Sequence, residues 1–307
     1  MFTKHLKLTA AISIIIIVAG IIAGAMGGLN PGIDFTGGSL TVVDMKQDFD
    51  ADYVHSVLED MGQADAPVVK SGEDMQEAQI RMQDVEDGEM QAEVTEILLT
   101  GLQSEYPEAE IVSVDRVGGV TSAEMVQGAI WAVIIACALM LVYIWIRFEL
   151  FSGIAAVIAL AQDVLVMIAF VCIFRLQINS GFIAGCLTII GYSINNTIVI
   201  FDRIRDNQRI YGRKKTRDEI ANLSVRETLG RTINTSVTTL IMIVSLYIFG
   251  VTSIREFALP IIVGLLAGTY SSIFLSAPIW AAMADYFERR KKSQAPAGSK
   301  KKKPAKA

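Results

Sequence analysis

The sequence predicts a polytopic α-helical membrane protein with six transmembrane helices and a small α+β domain between the first and second. Three observations predict it. Hydrophobic residues make up 52% of the 307, and they fall in blocks, several of which reach the roughly 20 residues needed to cross a hydrocarbon core. Charge is segregated: residues 30–125 hold 22 acidic and 4 basic side chains, and the rest of the chain holds 10 and 23. Within the acidic stretch, strand-like and helix-like apolar periods alternate.

The first span is Leu8–Gly28, preceded by Lys4, His5 and Lys7. It is too long for a secretion-signal core, and Asn30-Pro31-Gly32-Ile33-Asp34 offers no small-x-small cleavage site, so it reads as a retained helix. Residues 1–29 are then the amino terminus and helix 1, and residues 30–124 the acidic external domain. The other spans are Met125–Ile146, Leu150–Phe174, Ser180–Phe201, Ile233–Phe249 and Phe257–Met283, within residues 125–284. Basic residues crowd a loop at 202–228 and a lysine-rich tail at 285–307. Placing both inside puts both termini in the cytoplasm and residues 30–124 outside. Small residues four apart, Gly181 with Gly185 and Gly264 with Gly268, permit close helix contact.

In the external domain Ser39–Met45, Ala66–Lys70, Ala78–Gln83 and Ile111–Val117 read as strands, and Ala51–Met61 and Glu89–Tyr106 as amphipathic helices. The order β-α-β-β-α-β is the split βαβ, or ferredoxin-like, arrangement.

Several functional classes are poorly supplied. The basic residues sit between and after apolar helices, unlike the folded patch of a nucleic-acid binder. The three cysteines, Cys137, Cys172 and Cys186, lie in apolar segments without metal-ligand spacing, and there are two histidines. The external domain shows no nucleophile–base pair. No catalytic residue, metal site or cofactor is expected, and an enzyme is not.

Four features stand out instead. Asp163 lies near the middle of the third span, where a carboxyl needs a polar partner or a proton. Asn195 and Asn196 lie in the fourth and face different neighbours, since adjacent helical residues are about 100° apart. Arg231 opens an unusually polar fifth span. It can snorkel to the headgroups or pair with a carboxylate. The glycine-flanked stretch Gly32-Ile33-Asp34-Phe35-Thr36-Gly37-Gly38 reads as a junction or hinge. Arg255-Glu256 reads as a boundary pair.

Three stretches resemble the SecD/SecF family of bacterial export proteins, on its SecF side. They are Gly32 to Gly38, Val114-Asp115-Arg116-Val117-Gly118-Gly119-Val120, and Gly191-Tyr192-Ser193-Ile194-Asn195-Asn196-Thr197-Ile198-Val199-Ile200-Phe201-Asp202-Arg203-Ile204-Arg205. The resemblance covers roughly residues 8 to 285. It implies an accessory subunit of the Sec translocase in the bacterial cytoplasmic membrane. It implies a SecD-like partner in a pseudo-symmetric twelve-helix complex, the SecYEG channel, SecA and an unfolded polypeptide in transit. It also implies use of an ion gradient, with protons and sodium both open. Many relatives carry aspartate at the position of Asn196, implicated in proton passage. Asparagine cannot carry that proton. Coupling through Asp163 and a partner carboxylate balanced by Arg231, a sodium site with an amide ligand, and a weakly coupled brace are the readings that remain. A half-transporter for small apolar molecules and a structural scaffold are the alternatives to translocation.

Overall fold

The computed structural model describes residues 2–294 apart from 28, 65, 73, 83–87, 213 and 251. Gln83, Arg213 and the tail lysines Lys300 to Lys303 therefore lie outside the described residues. Among those described, six helices are long and apolar enough to cross a membrane. They are α1 (Leu6–Gly27), α5 (Gly119–Arg147), α6 (Leu150–Ile173), α7 (Ser180–Tyr211), α8 (Arg217–Phe249) and a sixth, composite span. The composite span joins α9 (Thr252–Ser271), a π-helical turn (Ser272–Ser276) and α10 (Ala277–Gln294). Short α2 (Ile33–Thr36) follows the first span, and α3 (Ala51–Asp60) and α4 (Gly88–Gln103) belong to the external domain.

The stretch read as a basic loop is largely helical. α7 continues to Tyr211 and α8 begins at Arg217, where Thr216 and Glu219 form a capping box. The helices outrun the apolar blocks because hydropathy stops at the membrane boundary, whereas local helix propensity and capping do not.

The external domain has strands β1 (Gly38–Asp44), β2 (Val68–Ser71), β3 (Glu77–Met82) and β4 (Glu110–Val117) in the order β2-β3-β1-β4, every pair antiparallel. This is the split βαβ order with both hydrophobic helix faces on one side of the sheet. On β3 the period of two sorts the side chains. Ala78, Ile80 and Met82 join Val54, Leu58, Leu98 and Leu102 in the domain core, each large side chain contributing about 1.5–3 kcal/mol by burial. Gln79 and Arg81 take the opposite face and reach the membrane bundle.

Within the bundle, α6, α7 and α9 pack centrally. Their apolar contacts form two clusters, one around Met167, Ile189 and Leu265, the other around Phe201, Ile220 and Trp280. Lipid offers no hydrophobic drive for this packing, so close van der Waals approach between small residues supplies it. Gly20 of α1 lies directly against Ala169 of α6.

Candidate functional site

The seam where α6, α7 and α9 meet encloses a polar cluster, and glycines make the approach possible. A Cβ on Gly264 would sit 2.7 Å from Ile189 Cγ1 and 2.9 Å from Met167 Sδ. One on Gly268 would sit 3.0 Å from Ser193 Cβ and 3.5 Å from Asp163 Oδ2. One on Gly185 would meet Ile261 Cγ1 at 3.1 Å. The spaced glycines thus serve contacts inside this chain.

Asp163 is fully buried in that seam, at 0% exposure. Its Oδ2 accepts a hydrogen bond from Ser193 Oγ, and a second hydroxyl, Ser271 Oγ, lies near the same carboxyl and donates to the Gly268 carbonyl at 3.2 Å. Oδ1 has no partner among the described residues. Thr197 Oγ1 and Ser272 Oγ share a hydrogen bond at 3.0 Å, and Ser276 Oγ donates to the Ser272 carbonyl at 2.7 Å. Hydroxyls rotate, and each can donate or accept. Ser193 and Ser271 can therefore donate to a carboxylate or accept from a carboxylic acid without moving any backbone. The π-helical turn lies against this cluster, and such turns interrupt the regular backbone ladder where sites are often built.

The named residues divide sharply around this seam. Asn196 is buried, at 2% exposure, with Nδ2 unpartnered among the described residues. Asn195 is exposed, as is Gly191. Arg231 is exposed on α8, so the structure does not bring it to the enclosed Asp163. Among the described residues no group of three His, Cys, Asp or Glu side chains assembles. Sequence reasoning missed Ser193, Gly268 and Ser271 as neighbours of Asp163. The available signal was the polar run Ser271-Ser272 and Ser276 within an otherwise apolar span.

A second set of contacts ties the external domain to α7. Gly32 N donates to the Ile178 carbonyl at 2.8 Å, Ile178 N to the Asn30 carbonyl at 2.8 Å, and Asn30 Nδ2 to the Arg175 carbonyl at 2.9 Å. Asp34 Oδ2 accepts from Ser180 N at 2.8 Å and from Ser180 Oγ. This carboxylate thus occupies the positive end of α7, beside the helix's own cap, in which Asn179 Oδ1 accepts from Phe182 N at 2.8 Å. Gly37 and Gly38 have φ of 73° and 116°, a region that side chains strain to reach. They turn the chain from the clamp into β1. Phe35 packs toward α5, in a shallow apolar groove with Val126, Ile130 and Ile183.

At the other end, ion pairs join the helices. Arg147 Nη2 meets Asp202 Oδ1 at 2.7 Å, Arg203 Nε meets Glu227 Oε2 at 2.7 Å, and Arg217 Nη2 meets Glu288 Oε2 at 2.9 Å. These partly exposed pairs link α5 to α7, α7 to α8 and α8 to α10. Each contributes little singly and sets register together. Asp202 and Arg203 are thus fastenings at the far end of α7. Glu256 departs from the boundary-pair expectation in another way: its Oε1 lies 2.6 Å from the side-chain amide of Gln79 of the external domain.

Six spanning helices, a sealed carboxyl between three of them, and an external α+β domain clamped to one of those three define a polytopic membrane protein of the transport type. Comparison with known proteins narrows the class. The profile described as protein export membrane protein SecD/SecF, C-terminal, matches residues 98–286, and that of the SecD/SecF GG motif matches residues 22–48. The protein translocase subunit SecF of Rickettsia bellii (strain OSU 85-389) is 38% identical over 285 residues, covering 92% of this chain and 93% of the relative. That of Sebaldella termitidis is 38% identical over 256 residues, covering 82% and 81%. The crystal structure of SecDF from Thermus thermophilus, described as a translocon-associated membrane protein, superposes with a TM-score of 0.83 at 30% identity over 92% of this chain. SecDF in its super-membrane-facing form gives 0.67 at 28% identity over 96%. The chain spans 38% and 40% of those two solved chains. This chain belongs to the SecD/SecF family of protein-export membrane proteins. It is of the SecF type, a multi-pass accessory subunit of the Sec translocase in the inner membrane.

Proposed function

We propose that this translocase subunit uses an ion gradient, with Asp163 as its ion-binding group, and passes the resulting helix movement to the external domain through α7. The supporting observation is the placement of Asp163. It is the carboxyl sealed between α6, α7 and α9, with hydroxyl partners that suit both protonation states and one oxygen free. α7 carries Ser193 at that site and is gripped at its outer end by Asp34. A change at the carboxyl thus has a covalent and hydrogen-bonded route to β1.

The proton is the ion this donor set fits best, because a rotating hydroxyl pair compensates the gain or loss of a single hydrogen. One charge crossing 100 mV supplies about 2.3 kcal/mol. Moving a two-state element from 1:99 to 99:1 takes about 5.5 kcal/mol. One proton per step therefore biases the domain, and a full stroke requires more than one charge. The second is assigned to a SecD-like partner. In support, α8 presents Asn234, Thr238 and Ser245 on one exposed face, a polar stripe suited to contact with another helix, although the Thr238 and Ser245 hydroxyls also donate to their own helix's carbonyls. The cytoplasmic placement of both termini follows from the basic charge at 202–228, and it puts the external domain where an unfolded polypeptide leaves the SecYEG channel under SecA. Carboxylates on that domain hold its surface polar. No covalent step is assigned to the chain.

The test is export by vesicles holding the chain with its SecD-like partner, SecYEG and SecA, under an imposed proton gradient. Asp163→Asn, similar in shape, should assemble normally and abolish the acceleration that the gradient gives. A variant that assembles and still responds fully to the gradient overturns the proposal.

A further inference from the structure

The contact between the external domain and α9 is a chain of side chains whose hydrogen-bond directions can be read. Gln79 lies 2.6 Å from Glu256 Oε1, and Gln177 lies 3.2 Å from Gln79. Arg81 reaches the Pro31 carbonyl through Nη1 at 2.9 Å, at the foot of the clamp on α7. Gln79 is buried, and Arg81, Gln177 and Glu256 are half-buried.

Amide orientations follow from what the amide faces. Arg81 directs Nη2 and Nε at one terminal atom of Gln177, at 3.0 and 3.3 Å. A guanidinium only donates, so that atom is the Gln177 oxygen. The same atom is the one that lies 3.2 Å from Gln79. Two carbonyl oxygens do not bond, so Gln79 turns its NH2 to Gln177. Its own oxygen then faces Glu256, and only a protonated carboxyl can donate to it. The 2.6 Å separation is that of an O–H···O bond, shorter than the usual N–H···O. With Glu256 ionised the sequence reverses. Gln79 gives its NH2 to the carboxylate, its oxygen takes an N–H from Gln177, and the remaining Gln177 donor is set against the Arg81 guanidinium.

We infer that Glu256 is a proton-binding site on the outer side of the protein, and that the Gln79–Gln177 amide pair relays its protonation to Arg81 and the clamp. Protonated, Arg81 has the Gln177 oxygen as its acceptor and is held beside Pro31. Ionised, Arg81 loses the Gln177 acceptor and the clamp's foot loosens. The site opens on a cleft of about 510 Å³ between β2 and the outer ends of α6, α8 and α9, which admits protons from the outer solution. The charges facing Glu256 are Arg81 and Glu77 from β3. Lys70 from β2, Arg175 after α6, Tyr247 on α8 and Arg255 on α9 line the cleft. Lys70 is engaged by Asp48 and the Phe49 carbonyl, and Arg255 by the carbonyls of Gly250 and Ile248. The inference goes beyond the role given to Asp163 and stands whether or not that role does.

The test uses the partner-bound complex in an Asp163→Asn background, so that the bundle carboxyl contributes nothing. Infrared difference spectra between acid and alkaline buffers should show a carboxylic C=O band that Glu256→Gln removes. Backbone hydrogen exchange over residues 31–37 should slow on acidification by about tenfold, roughly what one hydrogen bond to a charged group supplies. Glu256→Gln, whose NH2 remains available to the Gln79 oxygen whatever the pH, should hold exchange slow at every pH. Gln79→Leu should keep the band and lose the pH response. Absence of a band assignable to Glu256, or a pH response of residues 31–37 unchanged in Glu256→Gln, overturns the inference.

Discussion

α5 and α6 are adjacent in sequence and matched in hydropathy, yet they differ in burial. Their most apolar stretches are alike, but 6% of the first and 44% of the second is buried within the chain. α7 and α8 repeat the contrast: their most apolar stretches are equally apolar, with 50% and 11% buried. Hydropathy therefore fixes that a helix spans the bilayer and says nothing of its place in the bundle. The place is set by which face carries small residues. α6 turns Ala155, Ala156, Ala159 and Ala169 inward, and α7 turns Gly185, Cys186 and Ser193 inward. α5 presents Ile130, Trp131, Ile134 and Ile135 outward. The two outer helices also differ from each other: the face of α5 suits lipid, whereas that of α8 is mixed with amides and hydroxyls.

The sharpest way to break this comparison is to add the same bulk to both kinds of helix. Gly268→Leu drives a side chain against Ser193 and Asp163, and overpacking of that kind costs about 1–3 kcal/mol, with more expected where three helices meet. Loss of monodisperse protein and a lower melting temperature should follow. Gly128→Leu on α5, where an added Cβ meets nothing within 4 Å, should leave both unchanged. Equal damage from the two would mean that α5 is as enclosed as α9.

A smaller effect is expected at the clamp. Asp34→Ala removes the carboxylate that accepts from Ser180 at the start of α7, and loss of such a cap costs about 1 kcal/mol. Hydrogen exchange at residues 180–183 should quicken several-fold, with melting little changed. Unaltered exchange there would detach the Gly32–Gly38 stretch from α7.

The smallest effect separates the two outer helices. Thr238→Leu should weaken recovery of the SecD-like partner slightly, since polar contacts between membrane helices average about 0.6 kcal/mol. Ile134→Leu on α5 should not. Stronger loss from the α5 variant would exchange the roles of the two faces.

Much of this architecture was legible in the sequence, because its signals are local. Apolar blocks gave six spans, and the two periodicities in residues 38–118 gave the order β-α-β-β-α-β that the sheet order β2-β3-β1-β4 realises. The membrane position of Asp163 and the close packing at Gly264 and Gly268 also follow from local pattern. What surrounds Asp163 does not. Ser193 is 30 positions away and Gly268 and Ser271 more than 100, on helices whose rotation about their axes depends on tertiary packing. For the same reason Arg231 could not be kept from Asp163 by inspection, since its helix is polar on more than one face. The link from Gln79 to Glu256 spans 177 positions and joins two parts of the fold that carry no common pattern.

The central claim is that the ion path runs in the buried seam of α6, α7 and α9. Neighbouring asparagines on α7 test it, because Asn196 is buried, at 2% exposure, one turn from Ser193, and Asn195 is exposed. Proton-gradient-driven export should be measured across pH for wild type, Asn196→Asp and Asn195→Asp, with assembled complex quantified in each. The account predicts a displaced pH profile for Asn196→Asp, where a second titratable group joins Asp163, and a wild-type profile for Asn195→Asp. Identical profiles for wild type and Asn196→Asp at equal assembly, or a displacement produced by Asn195→Asp instead, would contradict it.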